Sequence, residues 1–262
     1  MNQNQDCPAS KLPLRVRLLV VAFAMWTGAA VADTYIILSL VGDHVTVVSE
    51  SGQTGSRFDQ NKYEVMPLSE PVLDDFATRV ADATIAKVRP DAAVITLRAG
   101  DPALYALRDS WLDSETIEVK ALVSLITKQF PPSPDTHLLL ITPYRAEIEL
   151  RTAHDYRGTG KVAGLGFYLN ASTRFRQSDL HESARGFLGI FANFQLVLIN
   201  LQTNAIEAHE RIVVGTTEAA ARAPDSTPWN ALTSQEKSRV LQFLMKREIE
   251  RALPGMLSSR RP

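Results

Sequence analysis

The sequence has 262 residues, of which 45% are hydrophobic and 22% are charged, and its 28 Lys and Arg residues nearly balance its 29 Asp and Glu residues. This composition is typical of one or two globular domains and excludes a collagen, a coiled coil and a wholly disordered chain. The net charge of −1 supplies no basic excess for nucleic acid and no acidic tail for a basic partner.

The N-terminus has the pattern of a secretory signal peptide. Basic residues ending at Arg17 precede an apolar run over 18–26, and small residues of the A-x-A type end at Ala32. We expect residues 1–32 to be cleaved off after Ala32, which places the mature protein in the periplasm or outside the cell. The alternative is a membrane anchor, but residues 18–32 form a segment shorter than the ~20 residues that a spanning helix needs.

Cleavage at this point also removes Cys7, the sole cysteine of the chain. A mature chain without cysteine has no disulfide, no thiol nucleophile and no cysteine-ligated zinc site. Cys7 precedes the apolar run instead of following the cleavage point, so we expect no lipid anchor of the lipoprotein type. The exported domain must therefore be held together by its core alone.

Strands are expected at the start of the mature chain. Two β-rich runs over 34–41 and 44–49 flank Gly42-Asp43, a pair suited to a two-residue turn, so we predict that these runs form a β-hairpin. A third short strand is expected over 63–68. The mature protein would then begin with three strands before its first helix.

Helices and strands alternate in the next segment. Ser69 offers an N-cap oxygen and Pro71 suits a first helical turn. Asp74 and Asp75 then fall where negative charge favours the helix dipole, which favours a structural role over acid–base catalysis. Three closely spaced prolines end the second long helix before residue 135. The expected order is a helix over 70–88, a strand over 93–97, a short helix over 101–107, a helix over 117–129 and a strand over 137–141.

The second half of the chain predicts a long antiparallel hairpin. Residues 187–201 are rich in Phe, Leu, Val and Ile, and a turn around Asn204 leads to residues 206–214, where apolar and polar residues alternate. We therefore expect two paired strands, the second with one solvated face. The alternative is a buried helix over 187–201, because a short apolar run does not reveal its period.

A long helix is expected near the C-terminus. Thr233 and Glu236 have the spacing of a capping box, and an apolar face that includes Leu241 follows, which predicts a helix over 234–253. Pro254-Gly255 should end this helix. The remaining residues, 254–262, are expected to form a disordered basic tail.

Together these elements predict one α/β (α+β) domain over 33–253, with a mixed, largely antiparallel sheet that contains hairpins and is covered by about three main helices. Its long late strand, tight turn and returning polar-faced strand resemble in layout the small periplasmic α/β modules of envelope assembly proteins, such as the N-terminal domain of TolB-like proteins. The resemblance covers the layout and no motif, and it implies a role at the cell envelope.

Motifs for catalysis and metal binding are not recognisable. None of the five histidines has the i, i+4 partner or the H-E-x-x-H setting of a helical zinc site. A search for G-x-S-x-G, for S-x-x-K with its companion motifs and for a serine on a strand-to-helix turn finds no convincing case, and Gly158-x-Gly160-Lys161 lacks the spacing of a phosphate-binding loop. We therefore predict no catalytic residue, no cofactor and no metal. Residues that would allow a triad, as any chain of this length does, are His154, Asp155, Ser172, Ser178, His181 and Ser183.

One stretch, between Arg151 and Arg185, is unusually basic. Six basic residues there outnumber three acidic ones, and several aromatic residues lie among them. Arginine forks and aromatic edges suit carboxylates, phosphates or sugar polymers. The alternative is that these side chains are solvated or closed on local carboxylates. The candidate surface for an anionic partner consists of Tyr156, Arg157, Lys161, Tyr168, Arg174 and Arg176.

Two functions follow as hypotheses. The first is a periplasmic or secreted, non-enzymatic binding protein or envelope-associated accessory factor, whose partner is an anionic envelope polymer or protein and not nucleic acid, with no membrane span after signal removal. The alternative is an exported hydrolase whose catalytic groups converge only in the fold. The lack of a nucleophile motif and of metal-ligand spacing favours the first, whereas a cleft of polar groups with strongly shifted pKa values would favour the second.

Overall fold

The structure is a computed structural model, in which residues 33–51, 61–114, 116–152, 155–176 and 183–258 are described, with the side chains of all of them except 174–176 and 183–184. The predicted signal peptide, residues 1–32, and the last four residues of the predicted tail lie outside the described residues. From Asp33 onward the described residues fold as one compact unit.

Four α-helices and eleven strands make up the described part. The helices are α1 (Val72–Val88), α2 (Pro102–Ser114), α3 (Val119–Ile126) and α4 (Ser234–Ser258). The strands are β1 (Thr34–Ser39), β2 (His44–Ser49), β3 (Lys62–Pro67), β4 (Ala93–Leu97), β5 (Thr136–Pro143), β6 (Arg145–Glu147), β7 (Leu150–Arg151), β8 (Tyr156–Arg157), β9 (Lys161–Arg176), β10 (Ser183–Asn200) and β11 (Ile206–Ala219). Short 3-10 turns cover Ala220–Arg222 and Pro228–Ala231.

The strands form a mixed sheet organised around β10. The order β3-β2-β9-β10-β11-β7-β8 runs across one part of it, and β5 joins β10 to β1 and β4. β11 pairs antiparallel along nearly the whole of β10, while β9 and then β5 share its other edge. The parallel pairs are β1 with β4 and β5, β2 with β9, and β11 with β7. The predicted α/β fold with a mixed sheet, antiparallel hairpins and covering helices is thereby confirmed.

Both faces of the sheet are covered, so alternate residues of one strand enter different cores. Tyr35 and Ile37 of β1 pack with α1 and α4, whereas Ile36 and Leu38 pack with α2 and α3. A third, smaller cluster, which includes Phe191, lies under β7 and β9. Because successive side chains of a strand point to opposite faces, such strands are apolar throughout.

The predicted hairpin of residues 187–201 and 206–214 is confirmed as β10 and β11, so the helical alternative is wrong. The two strands pair from Phe187 opposite Ala219 to Ile199 opposite Ile206, with a shift of register between Leu198 and Ile199. Asn204 in the connecting turn has a φ of 58°, a left-handed conformation that asparagine tolerates better than most residues.

The predicted hairpin of β1 and β2 is wrong, because β1 pairs with β4 and β5 and β2 pairs with β3 and β9. Gly42 does not form a turn; its lack of a side chain allows the start of α1 to pack closely against it. A Cβ atom on Gly42 would lie 2.7 Å from the backbone nitrogen of Asp74. The Asp74 carboxylate accepts hydrogen bonds from the backbone N–H groups of Val41 (2.8 Å) and Gly42 (3.1 Å) and from Ser39 Oγ (2.6 Å). A buried helix–strand junction therefore replaces the expected turn.

The helix boundaries differ from the predicted ones in three places. The N-cap of α1 is Pro71 and not Ser69. The short helix expected over 101–107 extends as α2 to Ser114, because Trp111 reaches the core between α2, α3 and the sheet. The helix expected over 117–129 is α3, which is shorter and spans only Val119–Ile126.

The C-terminal helix continues through Pro254-Gly255, so the prediction that it ends there and that a disordered tail begins at residue 254 is wrong up to Ser258. Proline inside a helix costs roughly 3 kcal/mol through its missing N–H and its steric clash. Met256 and Leu257 lie buried in the main core. Burial of two such side chains contributes roughly 1.5–3 kcal/mol each, which offsets that cost.

Candidate functional site

A cleft of about 340 Å³ opens where the start of α4 and the start of α1 meet the sheet. Apolar side chains from both helices and from β2 and β9 form its floor and walls, and a few polar residues stand among them. A concave, mostly apolar surface with few polar groups is typical of a small-molecule site. The lining residues are Val45, Met66, Leu68, Ser69, Glu70, Val72, Leu73, Phe167, Trp229, Ser234, Lys237, Ser238 and Leu241.

The predicted capping box fixes the start of α4 beside this cleft. Glu236 accepts hydrogen bonds from the backbone N–H and the hydroxyl of Thr233, both at 2.8 Å, and Thr233 Oγ1 accepts one from the Glu236 N–H at 3.3 Å. The hydrogen bonds from Thr233 hold the pKa of Glu236 below its usual value. The next residue, Lys237, is thereby placed in the first turn of the helix.

Trp229 is held at the cleft by a local network in the turn that precedes α4. Asp225 accepts hydrogen bonds from the backbone N–H of Thr227 (3.0 Å) and from Asn230 Nδ2 (2.7 Å). The Trp229 ring meets Phe167 edge to face, with ring centroids 5.5 Å apart. This geometry is favourable for two aromatic rings and leaves one face of the indole for another contact.

That other contact is Lys237, the most unusual group in the cleft. Its ammonium nitrogen lies 3.8 Å from the centre of the Trp229 ring, and the residue is only 6% exposed. Among the described residues, no carboxylate lies within ion-pair distance of this nitrogen. Burial lowers the pKa of Lys237 below its ordinary value of 10.5. The site therefore presents one partly desolvated cation on an apolar surface.

One rim of the cleft is formed by β3 and the residues that follow it. All six residues of β3 are exposed, and in the described part of the chain β3 pairs only with β2. Met66 and Val72 contribute exposed apolar surface at this rim. Glu70, also exposed, is the one carboxylate among the described lining residues. The cleft is thus open to solvent on the side of the sheet edge.

The structure describes the side chains of only some residues of the predicted basic surface. Tyr156 is 62% exposed, and both Arg157, the next residue, and Lys161, at the start of β9, are exposed. Arg157 lies 3.6 Å from Asp155, which supports the alternative of a locally paired arginine. The two remaining arginines belong to β9, and their side chains lie outside the described residues: Arg174 and Arg176.

The prediction that Tyr168 belongs to the surface for an anionic partner is wrong, because Tyr168 is fully buried. Its ring stacks on Phe187 with centroids 6.2 Å apart, and its hydroxyl lies 3.2 Å from Thr159 Oγ1. Burial raises the pKa of Tyr168 above its usual range. Tyr168 and its neighbour Phe167 lie on opposite faces of β9, and both faces are covered, so an aromatic residue on either side is buried.

Asp43 and Tyr168, whose pKa values are strongly shifted, do not line the cleft at Lys237. Burial raises the pKa of Asp43, but hydrogen bonds from His44 and Arg108 outweigh it and hold this pKa well below its usual range. The described histidines have separate contacts: His44 with Asp43, His209 with Gln195 at 2.8 Å, and His137 with Glu207 at 3.1 Å. In the described part of the chain, no three His, Cys, Asp or Glu residues form a group that could hold a metal ion.

The triad hypothesis is not tested by the structure. His154, Ser178 and His181 lie outside the described residues, as does the side chain of Ser183.

None of the α-helices in the described ranges is both long and apolar enough to cross a membrane.

The sequence contained one signal for the cleft that the prediction did not use. Lys237 lies four residues before Leu241 and seven before Leu244, on the buried face of the helix. A lysine in that register departs from the usual apolar stripe. What the sequence does not show is that Trp229 and Phe167 meet the same lysine in the folded chain.

Comparison with known proteins gives little further information. No protein-family model matches the sequence, and no curated protein matches it. A solved structure that is similar is that of a hypothetical protein from Chlamydia trachomatis, with 10% sequence identity and a TM-score of 0.34 over 86% of this chain and 98% of that chain. A similarity at this level carries no argument about function.

Proposed function

We propose that this protein is an exported, non-enzymatic binding protein of the cell envelope, and that the cleft at Lys237 and Trp229 is its binding site. The observation that carries the proposal is the cleft itself, which combines apolar walls with a single desolvated cation. The signal-peptide pattern of residues 1–32 supports the export step. Such a site binds an apolar body and orients it through one polar group.

One observation favours binding over hydrolysis. The strongly shifted groups Asp43 and Tyr168 are not among the residues that line the cleft. The hydrolase alternative depends on Lys237 and the two serines beside it, Ser234 and Ser238, because a lysine with a lowered pKa is able to act as the general base for a serine. We therefore keep the exported hydrolase as the alternative to be tested.

The binding step is tested with Nile red, a neutral dye that fluoresces in apolar surroundings. Purified exported protein should bind the dye with saturable fluorescence, and Ser238→Trp, which fills the cleft from α4, should abolish this binding. Gln242→Trp is the matched control, because Gln242 lies on the same helix outside the cleft lining. Equal dye binding by both variants, or none by the unmodified protein, would contradict the proposal.

The same two variants test the alternative. Hydrolysis of a simple aryl ester by the unmodified protein, lost in Ser238→Trp and kept in Gln242→Trp, would make the cleft an enzyme active site and overturn the non-enzymatic proposal.

Export is tested on the full chain expressed with its own N-terminus. N-terminal sequencing of the protein recovered outside the cytoplasm should begin at Asp33. A chain that keeps residues 1–17 and stays in the inner membrane would contradict the proposal.

The exposed part of the basic stretch is proposed as the contact for an anionic envelope partner. Tyr156, Arg157 and Lys161 support it by their exposure. Capture of anionic envelope polymer should weaken as salt rises and should weaken further in Arg157→Ala/Lys161→Ala, with an unchanged melting temperature. Unchanged capture by this double variant would show that the arginine and lysine are simply solvated.

A further inference from the structure

We propose that the ligand of the cleft is a single-tailed carboxylic acid of the fatty-acid type, whose acyl chain lies on the apolar walls and whose carboxylate binds the Lys237 ammonium. This inference rests on the proposed function and adds the chemical class of the ligand.

The first argument is the missing counterion. The Lys237 residue is 6% exposed, so its ammonium has lost part of its hydration, and no carboxylate among the described residues replaces the lost interaction. The Trp229 ring face supplies part of the compensation at 3.8 Å, and it leaves the other side of the ammonium without a strong acceptor among the described residues. An anionic group that enters the cleft would complete this coordination, because an ion pair strengthens as water is excluded.

The second argument is the shape and chemistry of the walls. Leu73, Phe167 and Leu241 are buried core residues whose surfaces continue into the cleft. At the rim, Met66 and Val72 extend this apolar surface towards solvent. Flexible methionine side chains adapt to ligands of irregular shape, and an acyl chain gains about 0.8 kcal/mol for each methylene group that leaves water. A ligand that is only a small anion would leave these walls unused.

The third argument is the polar setting of the headgroup. Lys237 lies in the first turn of α4, where the helix dipole adds partial positive charge. The hydroxyl-bearing residues Ser234 and Ser238 line the cleft on the same helix, one to three positions from the lysine. Hydroxyl groups donate hydrogen bonds to a carboxylate oxygen. Charge and donors thus come from one helical turn.

A carboxylate fits this setting better than a phosphate. The described lining residues include one cation and no arginine, whereas phosphate recognition generally uses the planar fork of arginine or several cations. Glu70 at the rim adds a negative charge that disfavours a doubly charged headgroup. One ammonium balances one carboxylate.

The test compares three ligands that share one chain: decanoate, decanol and decyl phosphate. Each is titrated into the purified exported protein by calorimetry at pH 8, below the concentration at which it forms micelles. We expect decanoate to bind about tenfold more tightly than decanol, which is the difference that one charge-assisted hydrogen bond makes.

Variants of two lysines on α4 locate the effect. Lys237→Met should make decanoate and decanol bind equally, while Lys237→Arg should keep the preference for decanoate. Lys246→Met is the matched control and should behave as the unmodified protein, because Lys246 is exposed and lies 4.0 Å from Glu250.

Each contrary outcome has a separate meaning. Equal binding of decanoate and decanol by the unmodified protein would overturn the carboxylate assignment and leave the proposed binding function standing. Absence of binding by all three ligands would contradict the inference, and absence of Nile red binding as well would contradict the proposed function. Tighter binding of decyl phosphate than of decanoate, or a preference for decanoate that survives Lys237→Met, would also overturn the inference.

Discussion

Arg108 and Lys237 are two buried cations on helices that cover opposite faces of the sheet, and their surroundings differ. Arg108, 2% exposed, donates hydrogen bonds to Asp43, to Asp109 and to the backbone carbonyl of Leu40. Burial lowers the pKa of Arg108, but these acceptors outweigh it and raise the pKa above its ordinary value. Lys237 has no such carboxylates among the described residues, and its pKa is lowered.

This difference separates a structural cation from a candidate binding cation. A buried charge with its partners in place ties elements together, here α2 to the segment between β1 and β2. A buried charge with only a ring face beside it costs stability in the free protein, and such a cost is typical of a group kept for function. The comparison predicts that loss of each residue has a different consequence.

The largest effect is expected where the cleft wall is also the core. Leu241→Ala removes a side chain that is 2% exposed beside Lys237. The free energy of unfolding should fall by about 2–5 kcal/mol, because a cavity remains in the core. Urea denaturation measures it. A loss below about 0.5 kcal/mol, the usual range for surface positions, would show that the wall is not part of the core.

The next largest effect is expected at the structural cation. Arg108→Met keeps much of the apolar stem but removes the guanidinium from the Leu40 carbonyl and from Asp43, which among the described residues retains only its contact with His44. We expect a loss of about 2–4 kcal/mol, near the lower end of the range for broken buried pairs because Asp43 is partly exposed. Thermal or urea denaturation at pH 7 checks this value. No loss would mean that the arginine is not structural.

Acid should weaken the same contact. The folded pKa of Asp43 lies well below its ordinary value of 3.8, so the ionised carboxylate stabilises the fold above pH 3.8. This contribution is lost as the pH falls from 3.8 through the lowered folded pKa. The difference in unfolding free energy between the unmodified protein and Arg108→Met should therefore shrink below pH 3.8. A difference that stays constant down to pH 2 would contradict the role given to Asp43.

The smallest effect on stability is expected at Lys237. Lys237→Met loses the contact with Trp229 but also the desolvated charge, so the unfolding free energy at pH 7 should change by less than about 1 kcal/mol. Because the folded pKa is lowered, the unmodified protein should gain stability relative to this variant as the pH rises through the folded pKa towards 10.5. A loss of several kcal/mol at pH 7 would make Lys237 a structural cation like Arg108.

Elements with local signals were predicted well. The capping box of Thr233 and Glu236 and the turn at Asn204 need only neighbouring residues, and both form. The hairpin of β10 and β11 has a short connection, so its pairing follows from its own sequence. Strands β2, β3, β4 and β5 were also located to within a few residues, because each is a β-rich run bounded by turn or helix signals.

Strand pairings and helix ends that depend on residues far away in the chain were not predicted. Gly42-Asp43 looks like a turn locally, yet β1 finds its partners in β4 and β5, and Gly42 is needed for the approach of α1. Pro254 is a helix end by its own chemistry, but the core holds the residues that follow it. In each case long-range burial outweighs a local preference.

The sequence alone therefore determined the α/β class, the long hairpin and the start of the last helix, because hydrophobic period, turn residues and capping residues act over a few positions. Only the tertiary structure decided that Tyr168 is buried and that Lys237 contacts the Trp229 ring with no carboxylate of the described residues within ion-pair distance. Burial and charge pairing depend on which distant side chains converge, and a single sequence does not reveal that convergence.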